Sequence, residues 1–123
     1  MGLIRRRSAI DGRDRWSEVD LKTYRAEDGP RGKKQIIVGP DDGAPNFAMR
    51  VIEIKHKGQK IPLHHHDYEH ETFVIEGQGN VLSPGGTKPV AYGDFAYVPA
   101  GEEHGFENTG DKPFRFICVI PKQ

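Results

Sequence analysis

The apolar and polar residues of this chain alternate in short runs, and sequences typical of turns separate these runs. Alternation with a period of two indicates strands with one buried face, and no long stretch has the period of an amphipathic helix. The predicted strands are residues 47–54, 71–76, 81–82, 95–98, 104–107 and 114–120. Short strands at this spacing predict an all-β sandwich or barrel of about six to eight strands with very little helix.

The composition supports this prediction and narrows the possible functions. Only 35% of the 123 residues are hydrophobic, and the 15 glycines and 9 prolines suit a turn-rich β fold of one domain. The formal net charge is zero, so we expect no nucleic-acid partner and no attraction to an anionic membrane. A single cysteine excludes an intramolecular disulfide, and no apolar run is long enough to span a bilayer. We therefore expect a cytoplasmic protein.

Residues 1–24 differ from the rest of the chain. They are rich in charged residues and lack a clear alternation, so we expect an irregular segment outside the domain formed by residues 25–123. Two alternatives remain open for this segment. It is either loose, or it crosses to a dimer partner and adds a strand to an edge of the partner's sheet.

The histidines form the clearest chemical pattern in the sequence. Three consecutive histidines, His64, His65 and His66, are followed by His70, and His104 recurs downstream. Side chains two residues apart on a strand point to the same side, so His64 and His66 converge while His65 points away. Imidazole is the commonest metal ligand in proteins, and it suits zinc, copper, iron and nickel. The pattern predicts a site for one divalent transition metal without selecting the metal.

The segments around these histidines resemble the two signature motifs of the cupin superfamily. The second motif is complete, with Gly93, Pro99, Gly101, His104 and Asn108 at the spacing of the family. Because both motifs occur in order, the resemblance implies the fold of that superfamily. This fold is a double-stranded β-helix, also called the cupin jelly-roll barrel, in a single domain.

The first motif departs from the usual cupin pattern at one position. It contains Gly58, His64 and His66, but it has His70 where most cupins have glutamate. This difference makes the chain similar to a subgroup of small single-domain cupins with four-histidine sites. That subgroup is described as manganese-binding and is linked to the oxidative cleavage of alkenes. The resemblance extends over roughly residues 44–121.

The resemblance implies a metal-binding set of four histidines, His64, His66, His70 and His104. Glu71 is the alternative to His70, because strand alternation cannot be followed through the loop that precedes them. The six residues between His70 and Gly77 match the spacing of the motif, so we expect neither Glu71 nor His65 to bind the metal. Manganese is the metal that the resemblance implies, and zinc, nickel, iron and copper are the alternatives.

Four residues are candidates for the wall of the metal cavity, namely Phe106, Tyr68, Phe116 and Cys118, with Phe95 or Tyr97 in addition. Phe106 is two residues beyond His104 and therefore faces the same side of its strand. Tyr68 lies in the loop that precedes His70. The two candidates from the last strand share one face, and the sequence leaves open whether that face points inward.

The predicted site and the resemblance together favour a metal-dependent enzyme. The expected activity is that of an oxidoreductase that activates oxygen or peroxide and acts on a small unsaturated or phenolic molecule. The alternatives are a non-catalytic module that binds a metal or a small ligand, and a cupin isomerase, because the fold alone does not decide function. Small cupins usually pair, so we also expect a homodimer.

Overall fold

Two antiparallel sheets enclose the hydrophobic core of this protein. The computed structural model describes residues 7–10, 13–16 and 33–123, with side chains from residue 34 onward. The strands are β1 (Arg7–Ile10), β2 (Arg13–Trp16), β3 (Lys33–Val38), β4 (Phe47–Ile54), β5 (Lys60–His64), β6 (His70–Glu76), β7 (Gln78–Ser83), β8 (Gly86–Ala91), β9 (Phe95–Val98), β10 (His104–Asn108) and β11 (Phe114–Pro121). A short 3-10 helix covers Pro40–Asp42, and no described helix is long and apolar enough to cross a membrane.

The order of the strands is that of a jelly roll. The larger sheet has five strands in the order β3-β4-β11-β6-β9, and the smaller sheet has four in the order β5-β10-β7-β8. All of these neighbours pair antiparallel. From β4 to β7 the chain passes from one sheet to the other at each successive strand, and this arrangement places the faces of the two sheets against each other.

The core consists of alternate residues from both sheets. The buried cluster comprises Ala48, Ile52, Ile54, Val74, Phe106, Phe114, Phe116, Cys118 and Ile120. In β11 the residues Phe114, Phe116 and Cys118 face this core, which settles the orientation that the sequence left open. Burial of each large apolar side chain stabilises the fold by roughly 1.5–3 kcal/mol.

A glycine is required where the chain passes from β6 in the larger sheet to β7 in the smaller one. Gly77 has a φ of 77°, a backbone conformation that residues with a Cβ rarely adopt. A Cβ at this position would also collide with the carbonyl oxygen of Pro113. We therefore expect any substitution of Gly77 to disturb the connection between the two sheets.

The predicted fold class is confirmed, because the described residues form an all-β jelly roll. Each of the six predicted strands is present with its ends shifted by no more than three residues. The predicted number of strands is wrong, because residues 33–123 alone contain nine. The strands missed within residues 33–123 are β3, β5 and β8, all of them edge strands, and Pro62 and Pro89 lie within two of them. Proline weakens the strand signal, but an edge strand tolerates its missing N–H group.

The prediction of an irregular N-terminus is wrong for the part that the structure describes. Arg7–Ile10 pairs with Arg13–Trp16 as an antiparallel hairpin. The intervening sequence Asp11-Gly12 is typical of a two-residue hairpin turn, and this signal was available in the sequence. The rest of the segment 1–24, its boundary at residue 25 and its exchange with a partner lie outside the described residues.

Candidate metal centre

Two of the predicted histidines face each other across neighbouring strands of the smaller sheet. His64 ends β5, His104 begins β10, and the two residues are register partners. β5 has one residue more than β10 between this pair and the next one, Ile61 with Phe106. Such a bulge redirects side chains, and bulges occur often beside functional sites. Pairing of the strands therefore brings together two imidazoles that are distant in the sequence.

His66 completes a group of three histidines. Ligand nitrogens of His64, His66 and His104 all lie within 4.8 Å of one another. His66 belongs to the loop between β5 and β6, and its carbonyl oxygen accepts a hydrogen bond of 2.6 Å from the N–H of Gly101. This bond ties the first histidine segment to the second. The ring of His66 also stacks on that of Tyr68, with 4.9 Å between the centroids.

His70 lies beside this group. It is the first residue of β6 and only 4% exposed, and its ring centroid is 4.8 Å from that of His66 and 4.9 Å from that of His104. Strand alternation turns the neighbouring Glu71 to the opposite, exposed face. His65 is exposed at the rim of the same cavity. The structure therefore gathers the four predicted histidines, with three of them in the tightest group.

The ring nitrogens of these histidines are arranged as metal ligands usually are. Nδ1 of His64 donates to the carbonyl oxygen of Pro62 at 2.8 Å, and Nδ1 of His104 donates to that of Glu102 at 2.9 Å. Such bonds fix the tautomer and leave Nε2 with a free lone pair. Nε2 of His104 and Nε2 of His70 are buried and have no hydrogen-bond partner among the described residues. Buried polar atoms normally have partners, so these nitrogens fit a bound metal.

Burial lowers the pKa of three of these imidazoles, those of His66, His70 and His104. Loss of solvation, together with the positive charge of the other histidines and of Arg50, lowers the pKa of His66 to about 4 and that of His70 to about 3. Burial also lowers the pKa of His104, although its hydrogen bond to the carbonyl of Glu102 opposes the change. Because only neutral imidazole binds a metal, the lowered pKa values make His66, His70 and His104 ready to bind one at physiological pH.

The four histidines line a cavity of about 290 Å³. Its wall consists of Lys34, Arg50, Ile52, Ile61, His64, His65, His66, Tyr68, His70, His104, Phe106 and Cys118. Three of the predicted wall residues, Phe106, Tyr68 and Cys118, are among them. Phe116 is not among them. It faces the core, but it packs against the ring of Phe106 with 4.4 Å between the centroids, one layer away from the cavity.

Phe95 and Tyr97 do not line this cavity, so the expectation that either does so is wrong. They are 74% and 58% exposed, because alternation in β9 turns Ala96 and Val98 inward instead. Both line a different cavity of about 640 Å³ between β8 and β9, at the open edge of the two sheets. That cavity is larger, but His104 is the only one of the clustered histidines on its wall.

Two cationic residues of the histidine cavity were missed by the sequence analysis. Arg50 is 8% exposed, and its Nη2 donates to Sγ of Cys118 at 3.1 Å. The same Sγ lies 3.3 Å from Nδ1 of His70, so the thiol joins the arginine to a predicted ligand. Burial raises the pKa of Cys118, which keeps the thiol protonated. Lys34 is the second cation on the wall, and it belongs to the missed strand β3.

Comparison with known proteins identifies the family. Residues 50–120, more than half of the chain, match the family model of the cupin domain, and the chain therefore belongs to the cupin family. A curated relative, an oxalate-binding protein from Thermotoga maritima, is 34% identical over 64 residues, which are 51% of this chain and 53% of that protein. The chain thus spans about half the length of this curated relative.

Solved structures agree with the family assignment. The polyketide cyclase RemF from Streptomyces resistomycificus is 29% identical with a TM-score of 0.73, and the match covers 85% of this chain and 75% of that one. The cupin-2 domain protein Rru_A2000 from Rhodospirillum rubrum has a TM-score of 0.75 at 24% identity and covers 94% of this chain and 78% of its own. The second likeness establishes the fold alone. Because cupins with such different names share this fold, the fold alone does not assign a function, and any function has to be inferred from the site.

Proposed function

We propose that this cupin is a metal-dependent enzyme acting on a small molecule, and that it is an oxidoreductase using oxygen or peroxide. One observation carries the proposal: three histidine side chains offer nitrogens within 4.8 Å of one another, beside a fourth histidine whose buried Nε2 has no partner among the described residues. These groups line a cavity of about 290 Å³, which is large enough for a small organic molecule.

The proposed ligand set is His64, His66, His70 and His104. His70 is included because Sγ of Cys118 lies 3.3 Å from its Nδ1, so Nε2 remains for a metal. Four imidazoles carry no negative charge, and a divalent ion would keep its full charge in this site. Manganese is proposed from the four-histidine resemblance, with zinc, nickel, iron or copper as alternatives, because imidazole does not discriminate strongly among them.

The side chains around the histidines have separate proposed tasks. When bound, the metal supplies Lewis-acid chemistry and electron transfer to oxygen or peroxide. Phe106 and Ile52 form an apolar wall that orients a substrate and limits the access of water. The ring of Tyr68, stacked on His66, holds that ligand in position at one side of the cavity. Burial raises the pKa of Tyr68, so its hydroxyl stays protonated and is able to donate a hydrogen bond.

Metal analysis and turnover assays test this proposal. Protein stripped with a chelator is reloaded separately with manganese, iron, zinc, nickel or copper, and its turnover of oxygen or peroxide is measured with a panel of alkenes and catechols. We expect one loaded metal to support turnover, and we expect His104→Ala to lose both metal and activity. His56→Ala is the matched control, because that histidine is exposed and outside the cavity. Metal-independent turnover, or no metal binding, would contradict the proposal.

The second candidate is a non-catalytic module that binds a small ligand through the metal. The name of the Thermotoga maritima relative, an oxalate-binding protein, supports this alternative. Calorimetric titration with oxalate distinguishes the two candidates when combined with the turnover assay. Tight, metal-dependent oxalate binding without turnover of any tested substrate would favour the module. A cupin isomerase is less well supported, because no carboxylate lines the cavity as a general base among the described residues.

We also propose that the protein is a cytoplasmic homodimer without nucleic-acid or membrane partners. The outer face of the larger sheet supports a dimer, because Phe47, Phe73, Phe95 and Tyr97 are exposed there. Exposed aromatic residues of this kind are common at protein interfaces. Light scattering at micromolar concentration should give twice the mass of the chain. A monomeric mass would contradict the dimer. Unchanged association after removal of residues 1–20 would contradict the exchange of that segment.

A further inference from the structure

A charged residue interrupts the apolar inner row of β4. The residues that face the core from this strand are Ala48, Arg50, Ile52 and Ile54, and all of them are buried. Arg50 lies opposite Cys118 of β11, another core residue, so its position in the inner row is fixed by pairing on that side. The side chain lines the histidine cavity and is 8% exposed. A guanidinium group is thus held inside the barrel.

This guanidinium has few partners for a buried charge. Its Nη2 donates to the neutral thiol of Cys118, and its Nε is buried without a hydrogen-bond partner among the described residues. None of the described residues on the cavity wall carries a carboxylate. Removing a charge from water costs several kcal/mol unless it is paired, so an uncompensated arginine is unusual in a structural role.

The guanidinium is also close to the predicted metal ligands. The Sγ atom that accepts its hydrogen bond lies 3.3 Å from Nδ1 of His70. Its positive charge contributes to lowering the pKa of both His66 and His70, as expected for a neighbour in a poorly solvated site. A divalent metal would add further positive charge beside the guanidinium. An anion is the group that the described residues of the wall do not provide.

We propose that Arg50 binds the carboxylate of a small-molecule ligand or substrate inside the histidine cavity. Arginine suits this role, because its planar donors match the two oxygens of a carboxylate. The apolar side chains Ile52, Ile61 and Phe106 of the same wall hold the body of the molecule. This inference rests on the proposed function, because it places the substrate in the same cavity. It adds that the substrate carries a carboxylate group.

Binding of benzoate and of its neutral analogue benzamide tests the inference by calorimetry. Both probes have the same shape and differ in charge. In wild-type protein stripped of metal, we expect benzoate to bind at least about tenfold more tightly than benzamide, which is the size of one charge-assisted hydrogen bond. Arg50→Met should abolish this preference. Arg50→Lys keeps the charge without the planar donors and should retain only part of it.

Lys88→Met is the matched control, because it removes a cation from the wall of the other cavity, and we expect it to keep the full preference. Equal affinity of the wild type for both probes, or no benzoate binding, would overturn the inference. An unchanged preference in Arg50→Met would also overturn it. If Arg50→Met does not fold, Arg50→Lys decides, because a preference equal to that of the wild type would exclude recognition by the guanidinium.

Repeating the titrations with manganese-loaded protein separates this inference from the proposed function. Mutual repulsion of the cations predicts that benzoate raises manganese affinity in the wild type and that Arg50→Met binds manganese more tightly without benzoate. If none of the five metals binds but the Arg50-dependent preference persists, the proposed function fails and the carboxylate site stands. If one of these metals binds and supports turnover without that preference, the proposed function stands and the carboxylate site fails.

Discussion

The two faces of the larger sheet each contain a buried arginine, and the two arginines differ in their hydrogen-bond partners. On the face opposite the cavity, Arg115 of β11 is 5% exposed, and its Nε donates to Oε2 of Glu53 at 2.8 Å. Its Nη1 also lies 3.4 Å from Oε2 of Glu76. On the cavity face, Arg50 of the neighbouring strand β4 has, among the residues that the structure describes, only the thiol of Cys118 as a hydrogen-bond acceptor.

This difference distinguishes a structural charge from one that is available to a ligand. A buried ion pair satisfies its own charges, so it stabilises the register of two strands without needing a ligand. On the opposite face Nε2 of Gln35 is also buried without a hydrogen-bond partner among the described residues, but the cavity face has three such atoms, namely Nε of Arg50 and Nε2 of both His70 and His104. Because these atoms converge on one cavity, we infer that they bind ligands from solution.

The largest expected effect on stability comes from the structural arginine. Arg115→Met leaves the carboxylate of Glu53, itself 7% exposed, buried beside an apolar side chain. We expect the free energy of unfolding to fall by roughly 3–5 kcal/mol, as is typical when one partner of a buried ion pair is removed. Urea denaturation measures this loss. Lys57→Met is the control, because its ion pair with Asp111 is exposed, and it should unfold at nearly the wild-type concentration of urea.

The next effect concerns the ligands on the cavity face. His70→Ala should bind less metal and lose the part of the stability that depends on metal, about 2.7 kcal/mol at a hundredfold excess over Kd. Melting temperatures with and without manganese measure it. Glu71→Ala and His65→Ala should keep the wild-type metal content and melting temperature. If Glu71→Ala loses the metal while His70→Ala keeps it, the site has three histidines and a glutamate, and the four-histidine resemblance fails.

A smaller effect is expected where the arginine and the ligand share one atom. Cys118→Ala removes the sulfur that contacts both Arg50 and Nδ1 of His70, while Cys118→Ser keeps a hydrogen-bonding group there. Loss of a partner that orients a ligand typically weakens metal binding by about tenfold or more. We expect this loss in the alanine variant and a smaller one in the serine variant, measured by competition with a chelator. Equal manganese affinity in all three proteins would show that the thiol does not position His70.

The sequence was sufficient for the fold and for the position of the histidines. Alternation and turn residues predicted the inner strands of both sheets, and the motif spacing identified His70 before its orientation was known. The orientation of the side chains of His70 and Glu71 needed the structure, because alternation holds only from the start of β6 and not through the loop of residues 65–69. Spacing therefore located the candidate site, and pairing of strands oriented its side chains.

Alternation and motif spacing did not predict the two cationic residues of the cavity wall, Arg50 and Lys34. Both faces of β4 contain buried residues, including Val51 on one and Ile52 on the other, so alternation alone does not tell which way Arg50 points. Lys34 lies in an edge strand that the sequence pattern missed. A buried charge is recognised as unusual only when its missing partners are known, and that information requires the positions of the neighbouring strands.

The smallest expected effect on stability is that of Arg50→Met, and it is the most direct test of the comparison. The substitution removes a buried charge that has no carboxylate partner in the described part of the chain, and it places an apolar chain of similar length among Ala48, Ile52 and Cys118. Because no opposite charge is left uncompensated, we expect the free energy of unfolding of the metal-free protein to change by less than about 1 kcal/mol, or to increase. Urea denaturation in parallel with Arg115→Met measures the difference. A loss as large as that of Arg115→Met would mean that the fold depends on Arg50 as it does on Arg115, and the two faces would then not differ in the way proposed.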